Sequence, residues 1–291
     1  LDLSKTTLDC HTGGSENKET HALEILGNSK AYLNDVDVLA YGNAVTDRTG
    51  VNHAGIELAD NSSLCWTGGD LTVKQSAYGI VLRHDCNLVY RGTNGTPCNI
   101  QLGGENTDPA QTVLGLYDNC SALLKHVTYG IANNQAAGHG GNYVEVINNS
   151  TFSLNNESTP REWFAEKNTG SSSNMIYASA SKVSVNNVQF KIANEGAAVK
   201  AEHGSTVLLK NLPDGGTNHI SKALVLNSLS RATLDTVSVS TVKQGGLSNE
   251  HLTLNSTHYN FSALDADNIL PTDTHNNNDK AQLGAQIVKI A

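Results

Sequence analysis

The sequence predicts an all-β protein, a parallel β-helix solenoid of about nine turns with three strands per turn. Eight copies of one short phrase follow one another at intervals of 24 to 34 residues, a period typical of solenoid repeats. Each phrase holds runs in which apolar and polar residues alternate, and this period of two predicts strands with one buried face. The runs meet at polar corners rich in Asn and Asp, which tolerate the left-handed backbone of a sharp bend.

Stacking of the turns predicts two files of equivalent residues. The core file takes the first apolar residue of each phrase: Leu23, Ile56, Ile80, Leu114, Val144, Met175, Val199 and Leu224. The corner file takes the small residue that closes each corner: Ser29, Ser62, Cys86, Cys120, Ser150, Ser181, Ser205 and Ser230. A tight corner is expected to exclude larger side chains. A further apolar pair, as in Val127/Tyr129 and Val188/Phe190, predicts the third strand of a turn.

The cysteines leave several pairings open. Cys86 and Cys120 fall at equivalent corners of consecutive turns, about one strand spacing apart, which is a separation that a disulfide accepts. A bridge that involves Cys98 instead, such as Cys86–Cys98, is one alternative, and small buried thiols without a bridge are another. No CxxC pair occurs, so the sequence predicts no zinc site, and no metal or cofactor is expected.

The bulk composition argues against some classes of partner. The formal net charge is −9 and the pI is near 5.6, which argues against nucleic-acid binding and against docking on an anionic membrane. The chain has no apolar run of about 18 residues, so no segment is predicted to span a bilayer as a helix.

The repeat divides the chain into three regions. Residues 1–20 are predicted to form an N-terminal cap or leader segment, residues 21–262 the parallel β-helix, and residues 263–291 a linker and the start of a further turn. The longest interruptions of the repeat are expected to be loops, which often carry binding sites. The excursion over 155–173 holds a cluster of aromatic and basic residues, and we expect binding there: Arg161, Trp163, Phe164 and Lys167.

Three short motifs bear on catalysis. They resemble, in order, motifs of the polygalacturonase family of β-helix hydrolases: Asn106-Thr107-Asp108, Asp118-Asn119-Cys120 and Gly138-His139-Gly140. Glycoside hydrolysis needs a pair of carboxylates. Asn119 stands where a second carboxylate beside Asp118 would be needed, and no Arg-x-Lys follows to bind an acidic sugar. We therefore expect these motifs to be turn sequences, with no catalytic residues, and the protein to be non-enzymatic.

Three phrases carry a further family resemblance. Residues 55–64 (GIELADNSSL), residues 197–211 (AAVKAEHGSTVLLKN) and residues 222–239 (KALVLNSLSRATLDTVSV) look like pertactin-type repeats. Over roughly residues 21–262 the chain resembles the passenger domain of a bacterial autotransporter. The resemblance implies a right-handed β-helix that passes through the periplasm and outer membrane to the cell surface or the medium. It also implies a C-terminal β-barrel translocator outside this sequence.

The same resemblance sets the functional expectation. Members of that family commonly serve as adhesins, so we expect a secreted or surface-displayed, virulence-type protein that binds a host receptor, matrix protein or glycan. One alternative is a polysaccharide-degrading β-helix enzyme of the polygalacturonase or lyase type. Another is a passenger that associates with copies of itself and mediates aggregation, so both a monomer and a self-associating state are open.

Overall fold

The structure is a computed structural model that describes twelve stretches of the chain: residues 1–11, 21–41, 54–74, 78–102, 112–131, 142–165, 174–192, 197–213, 222–226, 230–237, 247–248 and 252–254. Every regular element in these stretches is a β-strand. The strands pair in parallel and form two long sheets. The described chain is therefore all-β, with the long parallel sheets expected of a β-solenoid.

The smaller sheet has nine strands and is named the first wall. Its strands pair in the order in which they occur along the chain. They are β2 (Leu23–Ile25), β4 (Ala54–Ala59), β7 (Tyr78–Arg83), β10 (Thr112–Tyr117), β13 (Val144–Ile147), β16 (Ile176–Ser179), β19 (Ala197–Glu202), β21 (Lys222–Leu226) and β23 (Leu247–Ser248).

The larger sheet has 15 strands and consists of two runs that share the long strand β3 (Lys30–Tyr41). The run that starts at the beginning of β3 is named the second wall: β5 (Ser63–Thr67), β8 (Asn87–Arg91), β11 (Ser121–Lys125), β14 (Thr151–Asn155), β17 (Lys182–Asn186), β20 (Thr206–Leu212), β22 (Arg231–Val237) and β24 (Leu252–Leu254). The run that starts at the end of β3 is the third wall: β6 (Leu71–Lys74), β9 (Cys98–Leu102), β12 (Val127–Ile131), β15 (Arg161–Ala165) and β18 (Val188–Ile192).

The N-terminal strand β1 (Asp2–His11) pairs with β3 over nearly its whole length, from Asp2 opposite Tyr32 to His11 opposite Tyr41. Because β3 begins both the second and the third wall, β1 lies at the end of both runs. The first part of the predicted cap is thus a strand of the sheet. The rest of that segment and the predicted linker over 263–291 lie outside the described residues.

The residue pairing confirms the predicted core file at seven of its eight places: Leu23, Ile56, Ile80, Leu114, Val144, Val199 and Leu224. The prediction was wrong for Met175. Its neighbour Ile176 pairs with the core-file residues of both adjacent strands. The sixth corner has a single left-handed residue, Ala180, where the fifth has Asn148 and Asn149. This shorter corner shifts the register of the sixth repeat by one residue.

Pairs of left-handed residues turn the chain from the first wall to the second. Asp60 and Asn61 have φ angles of 56° and 61°, a conformation that Asn and Asp adopt at low cost. The same conformation recurs at five other corners: Gly27-Asn28, His84-Asp85, Asp118-Asn119, Asn148-Asn149 and His203-Gly204. Side-chain amides also bond between corners, because Asn61 Nδ2 donates to Asn28 Oδ1 at 2.7 Å.

Hydrogen bonds explain the corner file. The backbone N–H of Cys120 donates to Ser150 Oγ, and that of Ser150 donates to Ser181 Oγ, both at 3.2 Å. The same bond recurs along the file from Ser62 to Ser230. The Ser150 hydroxyl in turn donates to the Ile147 carbonyl at 2.7 Å. The file therefore requires a hydroxyl or thiol that both donates and accepts, and small size alone is not the reason for its composition.

Substitution of Ser150 by alanine is expected to lower the free energy of unfolding by about 1–3 kcal/mol, because it leaves the buried N–H of Cys120 without an acceptor. Ser150→Cys should retain most of the stability, since thiols already serve in this file at Cys86 and Cys120. Urea unfolding of the three proteins measures the difference. Equal stability of the alanine variant and the parent would contradict the role of the ladder.

Apolar side chains fill the space between the walls. The two largest are Trp66 and Trp163, both 0% exposed. Each indole Nε1 donates to a backbone carbonyl, that of Val36 and that of Val127, at 3.0 Å in both cases. The core therefore buries its largest rings without leaving their polar atoms unpaired.

Candidate functional site

The predicted binding group in the 155–173 excursion does not form a loop site. Arg161–Ala165 is strand β15 of the third wall, and the Trp163 side chain is 0% exposed inside the solenoid. A buried tryptophan cannot contact a partner of the folded protein, so the expectation for Trp163 was wrong. Phe164 belongs to the same strand, and Lys167 lies outside the described residues.

Arg161 has a structural contact instead of a free guanidinium. Its Nη2 donates to the backbone carbonyl of Asn94 and lies 3.4 Å from Asn94 Oδ1. Asn94 Nδ2 in turn donates to Ser158 Oγ at 3.2 Å. These contacts tie the segment after β8 to the segment before β15. The Arg161 side chain therefore holds two repeats together.

The cysteine pair of the corner file lies where the disulfide prediction requires. The backbone N–H of Cys86 is 3.3 Å from Cys120 Sγ, and both residues are buried free thiols, as is Cys98. A hydrogen bond from the Cys120 thiol lowers the pKa of Cys86 to about 7, and the same bond raises the pKa of Cys120. The thiols thus act as members of the ladder, and formation of either bridge stays a prediction.

Of the three motifs that suggested a polysaccharide hydrolase, the structure describes Asp118-Asn119-Cys120, and its Asp118 lies at an exposed corner. Asp118 is left-handed, and its carboxylate accepts a hydrogen bond from Asn148 Nδ2 at 2.9 Å. The His84 ring lies between two carboxylates, 3.3 Å from Asp60 Oδ1 and 3.7 Å from Asp118 Oδ2. Asp108 and His139 lie outside the described residues.

One group of potential metal ligands was not apparent from the sequence. His21, Glu24 and Glu57 bring their ligand atoms within 4.8 Å of one another on the outer side of the first wall. The buried Glu57 carboxylate contacts the Arg83 guanidinium at one oxygen and lies 3.1 Å from His21 Nε2 at the other. Side chains of this chain therefore already neutralise Glu57, and the geometry is that of an ion-pair network.

The outer face of the second wall is a long, regular surface of parallel strands. In eight neighbouring strands, from β3 to β22, buried residues alternate with residues that are exposed or half-buried, as in β8 with the pattern exposed, buried, half-buried, buried, exposed. Strict parallel register aligns the outward residues in three files along the solenoid. This surface is flat because it follows the pleat of one sheet.

The first outer file lies nearest the corner and contains Lys30, Ser63, Asn87, Ser121, Thr151, Lys182, Thr206 and Arg231. The second outer file contains Tyr32, Cys65, Val89, Leu123, Ser153, Ser184, Leu208 and Thr233. The third outer file contains Asn34, Thr67, Arg91, Lys125, Asn155, Asn186, Lys210 and Asp235.

The charge of this face is opposite to that of the whole protein. Six of the residues in its three files are basic and one, Asp235, is acidic, although the chain carries a formal net charge of −9. Lys210 Nζ lies 3.7 Å from the Asp235 carboxylate, and Lys125 forms an ion pair with Glu157. Arg91 Nε donates to Thr67 Oγ1 at 3.0 Å. The basic residues of the third file therefore already contact other groups of the chain.

The cations of the first outer file are different. Lys30, Lys182 and Arg231 are exposed, and none of their charged groups forms an ion pair or a hydrogen bond with the residues that the structure describes. Free cations on one file of a flat surface are available to an external anion. This file is the candidate functional site.

The sequence pattern did not identify the cations of this face as one file. The second apolar run of each repeat contains the necessary information. Along this run every second residue faces the core, and the residues between them face outward. In Ser29-Lys30-Ala31 and Ser230-Arg231-Ala232 the basic residue directly follows the corner file. Aligning the repeats on the corner file would have placed these cations in one line.

Comparisons with protein-family models, with curated proteins and with solved structures found no significant match to this chain. None of the elements in the described ranges is a helix long and apolar enough to cross a membrane. The geometry of the chain therefore carries the functional argument by itself. The described strands place the chain in the class of all-β proteins with long parallel sheets, and the first outer file presents exposed cations.

Proposed function

We propose that this protein is a non-enzymatic binding protein that docks on an anionic partner through the outer face of its second wall. The observation that carries the proposal is the set of cations in the first outer file that form no ion pair with the described residues, in a protein whose net charge is negative. A flat basic surface on an acidic protein directs the approach of an anionic partner and excludes approach through the other sides.

The proposal includes the biological setting that the repeat style implies. The protein is a secreted or surface-displayed adhesin of the autotransporter passenger type, a right-handed parallel β-helix of about nine turns, and its partner belongs to a host surface or matrix. The resemblance of the phrases at 55–64, 197–211 and 222–239 to pertactin-type repeats supports this setting, together with the long parallel sheets.

Two alternatives have less support from the described residues. A hydrolase would need a pair of carboxylates open to substrate, and Asn119 stands beside Asp118 where the second carboxylate would be needed. Self-association through the outer face of the second wall would bring two basic surfaces together, which opposes a symmetric contact. Binding of an anionic partner that is neither a substrate nor a second copy of the chain is the function that this face supports best.

The test is adhesion of the fluorescently labelled protein to cultured epithelial cells at physiological salt. The parent protein should bind, and a double substitution of Lys182 and Arg231 by glutamate should reduce the bound fluorescence at least tenfold, because two attractive contacts become repulsive. Lys200→Glu is the matched control. Lys200 lies on the first wall and pairs with Glu202 at 2.8 Å, so its substitution should leave adhesion unchanged.

Two results would overturn the proposal. One is the absence of saturable cell binding by the parent protein. The other is equal loss of binding in the double variant and in the Lys200 control, since only a specific face distinguishes them. Circular dichroism of all three proteins checks that the β-structure is retained.

A further inference from the structure

Resting on the proposed function, we infer that the anionic partner is a linear acidic polysaccharide that lies parallel to the solenoid axis along the first outer file. Its sulfate or carboxylate groups are held by Lys182 and Arg231, and its hydroxyl groups by the uncharged polar residues between the cations. This assignment follows from the spacing, the charge and the lack of clustered apolar anchors on the C-terminal half of the face.

The first outer file combines cations with uncharged polar residues. Between the cations it presents five polar uncharged residues: Ser63, Asn87, Ser121, Thr151 and Thr206. Hydroxyl and amide groups both donate and accept hydrogen bonds, as sugar hydroxyls require. Parallel strands lie about 4.8 Å apart, so Lys182 and Arg231 are about 10 Å apart with Thr206 between them. An extended chain of repeating charged units matches a straight file of this kind.

The C-terminal half of the face, from β14 to β22, has one apolar outward residue, Leu208, whereas Tyr32, Cys65, Val89 and Leu123 follow one another in the N-terminal half. Tyr32, Leu123 and Leu208 are 52%, 37% and 38% exposed and lie on β3, β11 and β20. Neighbouring members are three strand spacings apart, or about 14 Å. A protein partner gains most of its affinity from a central cluster of buried apolar and aromatic residues. The C-terminal half offers the single side chain of Leu208 instead, on which a sugar ring can rest.

Other charged groups favour the C-terminal half of the file. The corners beside β5, β8 and β11 carry the acidic residues Asp60, Asp85 and Asp118 next to the first outer file. The described corners beside β14, β17 and β20 carry Asn, Ala, His and Gly. A polyanion is therefore repelled at the N-terminal half and accepted at Lys182, Thr206 and Arg231, where the one acidic residue of the outer files, Asp235, is already paired with Lys210.

Single-stranded nucleic acid is a linear polyanion as well, but it is recognised largely by stacking of its bases on aromatic side chains. Tyr32 is the single aromatic residue in the three outer files, and it lies at the N-terminal end of the face. The C-terminal half thus holds cations and hydroxyls without a stacking platform. This composition favours a saccharide polyanion over a nucleic acid.

Isothermal titration at pH 7.4 tests the inference with dextran sulfate, uncharged dextran of the same length, and single-stranded DNA of the same charge. Dextran sulfate should bind to the parent protein, uncharged dextran should not, and the DNA should bind at least tenfold more weakly. Lys182→Gln combined with Arg231→Gln should weaken dextran sulfate binding about tenfold and flatten its dependence on salt by roughly one to two logarithmic units per decade. Lys200→Gln is the control and should change neither quantity.

The outcomes separate this inference from the proposed function. Cell adhesion that depends on Lys182 and Arg231, without binding of dextran sulfate, would overturn the polysaccharide assignment and leave the binding face in place. Binding of DNA as tight as that of dextran sulfate would also overturn it. Binding of dextran sulfate that is equally strong in the Gln variant would remove the file as the site.

Discussion

Substitution of Trp163 by alanine is expected to lower the free energy of unfolding by about 3–5 kcal/mol. The indole ring is 0% exposed. Its ring centroid lies 5.5 Å from that of Tyr129 and 6.5 Å from that of Phe152. The substitution opens a cavity and leaves the Val127 carbonyl without the hydrogen bond from Nε1. Urea unfolding followed by circular dichroism measures the loss.

A conservative variant gives this prediction its control. Trp163→Phe retains an aromatic ring in the space between Tyr129 and Phe152 but loses the hydrogen bond to Val127, so its destabilisation should be clearly smaller than that of the alanine variant. Unchanged stability of Trp163→Ala, together with weaker cell adhesion, would indicate that Trp163 is exposed at the surface. This result would contradict the inward orientation of Trp163 in the third wall.

The second large effect concerns two neighbouring residues of β11 that face opposite ways. Leu124→Asp is expected to cost at least about 5 kcal/mol, because Leu124 is 0% exposed and the carboxylate would be buried without a partner. Folded domains are stable by about 5–15 kcal/mol, so this variant should lose its regular β-structure at least locally. Leu123→Asp places the same charge on the outer face, where the side chain is 37% exposed, and should change stability little.

Circular dichroism and limited proteolysis of the two aspartate variants measure the difference. Protease resistance of Leu123→Asp and rapid cleavage of Leu124→Asp are the expected results. Equal behaviour of the two proteins would contradict the assignment of an inner and an outer face to the second wall. Because repeat proteins unfold in parts, cleavage sites should cluster near β11 in the sensitive variant.

The sequence contains enough information to predict how the repeats stack. Period two identified which residues face the core, and the corner chemistry of Asn and Asp fixed where each strand ends. The core file and the corner file follow from these two signals alone, because stacking leaves no freedom once the corners are aligned. The sixth repeat is the exception, since a corner with the single residue Ala180 moves Ile176 into the position expected for Met175.

The candidate site was harder to predict for two physical reasons. In β15 a basic and an acidic residue precede Trp163 and Phe164 follows it, so the alternation that marks a strand is hidden, and the aromatic–basic cluster resembled a loop site. The cations of the outer face come from strands far apart in the sequence. Lys30, Lys182 and Arg231 become one file through parallel register alone, and their lack of ion pairs among described residues is visible only in three dimensions.

The straightness of that file supports both the fold and the binding face, and one distance measures it. Nitroxide labels placed at Lys30→Cys and Lys182→Cys, with the partly exposed Cys10 and Cys65 replaced by serine, report their separation by pulsed electron spin resonance. Five strand spacings separate the two positions, which predicts a narrow distribution centred near 24 Å before the label arms are included. A broad distribution, or a centre below about 15 Å, would mean that the strands do not stack in this register.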